Sequence, residues 1–84
     1  MKVTLKLYAT FSDYLPVEAR LSNRLDLEVA PGTTPMDLMV RFALPLKLCH
    51  LVLVNGVFLP PQERAGHALV EGDTLAIWPP IAGG

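Results

Sequence analysis

Residues 2–8, KVTLKLY, alternate: Val3, Leu5 and Leu7 are apolar, and Lys2, Thr4 and Lys6 around them are polar. Successive side chains of a strand point to opposite faces, so this segment reads as a strand with one covered face and one open face. The alternation returns in RLDLEV, with Leu25, Leu27 and Val29, and again in TLAIW after the EGD turn, with Leu75 and Ile77. Strands of this kind require a layer packed on one side of their sheet.

That layer is supplied by APGTTPMDLMVRFALP, where the period changes. Thr34 fits a helix N-cap, Pro35 the first helical position and Asp37 the third residue of a capping box. Leu38, Met39 and Phe42 form an apolar stripe before Pro45, which predicts a helix of about three turns. ATFSDYLP reads as a turn or short helix ended by Pro16. LVLVNG is apolar on both faces, as an internal strand under a helix would be, and Asn55-Gly56 suits the positive φ angles of a tight hairpin. VFLPP is then a short partner strand limited by its prolines. Two strands, a helix, two short strands and a last strand make an α+β fold with one main helix on one face of a sheet of about four to five strands.

An 84-residue chain suits one domain and hides only about 60 to 65% of its unfolded surface, which leaves little room for an enclosed active site. Its apolar runs stop well short of the roughly 18 residues of a membrane span. Seven basic residues scattered between Lys2 and Arg64, with a net charge of −1, do not form a nucleic-acid footprint. The N-terminus does not resemble a signal peptide, and the single Cys49 rules out an internal disulfide, so a cytoplasmic location is expected. Cys49 in KLCHLV fits a small buried thiol better than a nucleophile. His50 and His67 lack metal-ligand spacing, and Gly56, Gly66 and Gly72 sit in separate turns with no phosphate-loop motif.

The end of the sequence is the candidate for chemistry, the other reading being a frayed terminus of small residues. After Asp73 there is no charged side chain. Pro79 and Pro80 cannot extend a ladder and favour a stiff extended chain, so they stop the strand and project IAGG outward. Gly83 and Gly84 lack Cβ, so under the functional reading the backbone could enter a narrow channel and the Gly84 carboxylate would be the reactive group presented to another protein. Residues 1–78 are therefore expected to form the domain and 79–84 a flexible tail, threaded through Pro79, Pro80, Ile81, Ala82 and Gly83.

The element order resembles the β-grasp fold of ubiquitin, which implies a mixed sheet with the first and last strands parallel at its centre. EGDTLAIWPPIAGG, with VNG upstream, resembles the MoaD/ThiS family of ubiquitin-like sulfur carriers, closest to the small subunit of molybdopterin synthase. SDYLPVEARLSNR is a longer and more proline-marked connection than that family leads one to expect.

The resemblance implies a non-catalytic carrier. A partner adenylating enzyme, using ATP and Mg²⁺, would convert the Gly84 carboxylate to an acyl-adenylate. A persulfide donor or sulfurtransferase would then leave a thiocarboxylate there. The large synthase subunit would use that sulfur to build the dithiolene of the molybdenum or tungsten cofactor, while the chain itself binds no cofactor or metal. A thiamine-pathway carrier, a ubiquitin-like protein modifier and a plain binding module are the alternatives.

Strand parity also points to a docking surface. With Leu5, Leu7, Leu75 and Ile77 inward, Tyr8 and Trp78 fall on the open face beside Thr74 and Ala76. If the end strands are neighbours, the two aromatics meet just before the tail departs and form a candidate hot spot for a partner, the alternative being that Trp78 folds over the sheet edge or against Pro80 as local packing.

Overall fold

The computed structural model describes residues 1–80. Five strands are formed: β1 (Lys2–Leu7), β2 (Arg24–Glu28), β3 (Leu51–Val54), β4 (Val57–Phe58) and β5 (Thr74–Trp78). One α-helix among the described residues, α1 (Pro35–Arg41), follows β2.

The strand order is β2-β1-β5-β3-β4. β1 runs antiparallel to β2 and parallel to β5, with Leu5 opposite Leu75 and Leu7 opposite Ile77. β5 is antiparallel to β3, which turns through Asn55 (φ 51°) and Gly56 (φ 82°) into β4. The sheet is thus mixed, with the first and last strands side by side, the β-grasp arrangement.

The alternation in β1 and β5 is converted directly into a core. Val3, Leu5 and Leu7 join Leu75, Ile77, Val52 and Leu27 in one buried cluster with Leu38 and Met39 of α1. Leu5, Leu7, Leu75 and Ile77 are fully buried, and each such side chain contributes about 1.5–3 kcal/mol of transfer free energy.

The N-terminus of α1 has the expected capping box. Asp37 N–H donates to Thr34 Oγ1 (3.2 Å), and Thr34 N–H donates to Asp37 Oδ2 (3.0 Å). The helix is shorter than the three turns expected, because the seven residues Pro35–Arg41 make only about two. Ala43 adopts φ 58°, and the amides of Ala43 and Leu44 return to the carbonyls of Val40 (3.0 Å) and Met39 (2.9 Å). This Schellman stop uses alanine where glycine is usual, so it left no mark in the sequence.

β3 also departs from expectation. Val52 and Val54 are buried, but Leu51 and Leu53 point to the open face, which no helix among the described residues covers, and Leu51 is 36% exposed. The long connection after β1 folds as 3-10 segments at Ala9–Tyr14, burying Phe11, and Val17–Ala19, burying Ala19, with Leu15 buried between them. No helix among the described residues is long and apolar enough to cross a membrane.

Candidate functional site

β5 ends at Trp78, whose carbonyl accepts from the His50 amide at 3.1 Å. Pro79 and Pro80 follow and have no N–H to offer a neighbouring strand. Across β5, the Tyr8 amide donates to the Ile77 carbonyl at 3.2 Å and extends the β1–β5 ladder by one residue. Ladder continuity places the two aromatics side by side on the open face. Their rings stack with centroids 4.3 Å apart and an interplanar angle of 5°.

The backbone after Tyr8 turns sharply. Ala9 has φ 53°, and Phe11 N–H donates back to the Tyr8 carbonyl (3.0 Å) to open the 3-10 segment. Phe11 is buried there, so the turn that presents Tyr8 is anchored in the core.

Sequence reasoning missed how far the apolar area extends. Leu51 lies opposite Trp78, and Leu53 lies between Ala76 and Phe58 in the strand register. Phe58 is 50% exposed, while Ala76, too short to reach past its neighbours, is buried on the same face. The open face therefore divides into an apolar half over β5, β3 and β4 and a polar half over β1 and β2, where Lys6, Thr4, Asp26 and Arg24 reside. The outward parity of Leu51 and Leu53 was the available signal.

Arg64 was also missed as one basic residue among several. It is 4% exposed and donates from Nε to the Leu59 carbonyl (3.0 Å) and from Nη1 to the Cys49 carbonyl (2.7 Å). Its Nη2 approaches the His50 carbonyl at 3.4 Å. The guanidinium thereby braces the segment whose amide holds the end of β5. Burial pulls its pKa below the ordinary arginine value.

Cys49 is buried, and its Sγ faces the Pro45 carbonyl at 3.7 Å. Burial pushes its thiol above the ordinary value and the nearby Arg64 only partly offsets this, which is the opposite of an activated nucleophile. His50 is exposed and His67 half-buried, and no metal-binding cluster of His, Cys, Asp or Glu occurs among the described residues. Of the expected tail, Pro79 is half-buried and Pro80 exposed, whereas Ile81, Ala82, Gly83 and Gly84 lie outside the described residues.

Fold and site together define a ubiquitin-like β-grasp protein with an aromatic ledge where its last strand ends. The chain belongs to the ThiS family, whose model matches residues 18–84. It has the fold of ThiS- and MoaD-like sulfur carriers, which work with activating enzymes and partner subunits.

Among solved structures, it is similar to the HVO 2177 protein of Haloferax volcanii (24% identity, TM-score 0.76), a match covering 100% of this chain and 87% of that one. It is also similar to SAMP1 of the same organism (26% identity, TM-score 0.67, 100% of both chains). A protein from Pyrococcus furiosus described as molybdopterin converting factor, subunit 1, matches at 19% identity and TM-score 0.64 over 95% of this chain and 98% of that one. No curated protein matches the sequence.

Proposed function

We propose that this chain is a sulfur carrier whose Gly84 carboxylate is adenylated, converted to a thiocarboxylate and used in molybdopterin synthesis, with the chain as the small subunit of the synthase. The observation that carries the reading is the ThiS-family match running from residue 18 to the glycines at 83 and 84. The proline pair directly after Trp78 and the likeness to the Pyrococcus furiosus protein favour the molybdopterin branch over thiamine.

The chemistry belongs to the chain end. One carboxylate oxygen of Gly84 attacks the α-phosphate of ATP held with Mg²⁺ by the activating partner, and pyrophosphate leaves. A persulfide sulfur then attacks the acyl carbon and expels AMP. A second thiol cleaves the resulting acyl disulfide and leaves –C(O)S⁻. The folded domain contributes what precedes this: a braced end of β5, stiff prolines at 79 and 80, and the Tyr8–Trp78 ledge with its apolar surround as the surface a partner covers.

The 26% match to SAMP1 supports a second reading, in which Gly84 forms an isopeptide bond to a lysine of another protein. Intact mass after incubation with ATP, Mg²⁺, an activating enzyme and a persulfide donor separates the two. Replacement of one oxygen by sulfur is the expected result, and it should vanish when one residue is added after Gly84. A tail-extended variant that still gains sulfur would overturn the role of Gly84, and lysine-linked adducts without sulfur would favour the modifier reading.

A further inference from the structure

The two edges of the sheet are built differently. β4 is two residues long and leads into Pro60 and Pro61, so it offers little to a further strand. β2 has five residues, contains no proline and has no strand beyond it among the described residues. Its ladder to β1 continues through Asn23 and Val29, whose bonds to Leu7 and Met1 are 3.1 and 2.8 Å. Odd-numbered residues of β2 thus bond inward, and Arg24, Asp26 and Glu28 turn their N–H and C=O groups away from β1. Among the described residues, only the Ser22 hydroxyl, 3.5 Å from the Arg24 carbonyl, approaches that row.

We propose that the β2 edge pairs with the β2 edge of a second copy of this chain, antiparallel about a two-fold axis, with Arg24 of each copy opposite Asp26 of the other. Outward-facing positions must meet outward-facing positions, which leaves few registers. Arg24 opposite Arg24 and Asp26 opposite Glu28 are like-charge pairings, which destabilise a ladder. Arg24 opposite Glu28 forces Asp26 against Asp26, and Glu28 already accepts the Met1 ammonium at 3.0 Å. Only the Arg24–Asp26 register sets opposite charges against each other, at two crossings, with no like-charge pair; it leaves Glu28 opposite the uncharged Ser22 and sets Leu25 against Leu25 on the covered face.

Both side chains are available for this: Arg24 is 55% and Asp26 70% exposed, and they contact each other at 3.2 Å within one copy. The Thr4 hydroxyl, followed by Arg24, holds the Asp26 carboxyl below the ordinary carboxylate range, so it is charged at neutral pH. An edge built to repel its own copy carries charges that clash on self-pairing, whereas these complement themselves. Five residues a side is small against the roughly 20–30 of a standard interface, so the association is weak and concentration-dependent. β1 separates this edge from β5, so the Tyr8–Trp78 ledge remains free, and the proposal does not depend on the sulfur-carrier reading.

Sedimentation of the full chain at low ionic strength, from about 10 μM to about 1 mM, tests it. The weight-average mass should rise from the 9.2 kDa chain mass toward twice that value, and added salt should lower it. Arg24→Asp should weaken association at least about tenfold, and the swap Arg24→Asp with Asp26→Arg should restore it to within about threefold, with unchanged melting throughout. A monomer at the highest concentration would overturn the proposal. So would loss of association in Trp78→Ala with Arg24→Asp behaving as wild type, because the aromatic face would then be the contact.

Discussion

Asn55 and Asp73 are joined by a 2.8 Å hydrogen bond from Asn55 Nδ2 to Asp73 Oδ1, and the Asn55 side chain also accepts from the Thr74 amide at 2.8 Å. Asp73 is buried and accepts from the Val70 amide at 2.9 Å, while its own carbonyl accepts from Thr4 N–H. The β3–β4 turn, the start of β5 and the start of β1 therefore meet at one polar junction. Asn55→Gly keeps the positive φ and loses only the side-chain bonds, for an expected cost of about 2 kcal/mol. Asn55→Ala should cost about 1 kcal/mol more, because alanine must also enter the left-handed region. Urea unfolding measures both, and equal losses would show that φ is not strained there.

Ala43 predicts a gain. It holds φ 58° at the stop of α1 without hydrogen bonds from its side chain, so Ala43→Gly relieves steric strain at an exposed position. A stabilisation of roughly 0.5–1 kcal/mol is expected in the same assay. A loss would mean that the unfolded-state entropy of glycine outweighs the strain.

Cys49 should be nearly inert in the native state. Its raised pKa lowers the thiolate fraction at any given pH below that of a free cysteine, and burial blocks access. Iodoacetamide at neutral pH is expected to react on the order of 100-fold more slowly with the folded chain than with the urea-unfolded chain. Comparable rates would place the thiol at the surface.

The stacked pair supports two measurements. A double-mutant cycle with Tyr8→Ala and Trp78→Ala should show a coupling of about 0.5–1.5 kcal/mol in folding stability. Under the docking proposal, Trp78→Ala should also weaken binding to the activating enzyme or synthase partner by about 2 kcal/mol or more, read by isothermal titration. A large stability loss with unchanged affinity would assign Trp78 to packing alone.

Gly83→Val tests passage of the tail through a narrow channel in the partner. A β-branched side chain widens and stiffens the backbone there, so sulfur transfer should fall sharply while the melting temperature holds. Transfer unchanged within about a factor of two would remove the channel from the proposal.

Period-2 alternation placed Val3, Leu5, Leu7, Leu75 and Ile77 inward and Tyr8 and Trp78 outward, and the capping box located the start of α1. Those signals are local and repeat. The stop of α1 was not visible because a left-handed alanine has no compositional signature. Phe11 and Leu15 were not read as core because a short 3-10 segment and the link after it show no period. Arg64 looks like any surface arginine until the carbonyls of Leu59, Cys49 and His50 are brought around it by tertiary structure. Leu51 and Leu53 show the limit of a run apolar on both faces: it marks a central strand and does not say which face is covered.

The parallel pairing of β1 with β5 also constrains how the protein comes into being. β5 is synthesised after the other four described strands, so Thr4 meets Thr74 only once those strands exist. Contacts so distant in sequence close slowly and late. A nascent chain that has not yet reached β5 lacks its central strand, so it has neither a finished sheet nor the Tyr8–Trp78 stack. Arrival of β5 thus completes the sheet and the Tyr8–Trp78 ledge in a single event.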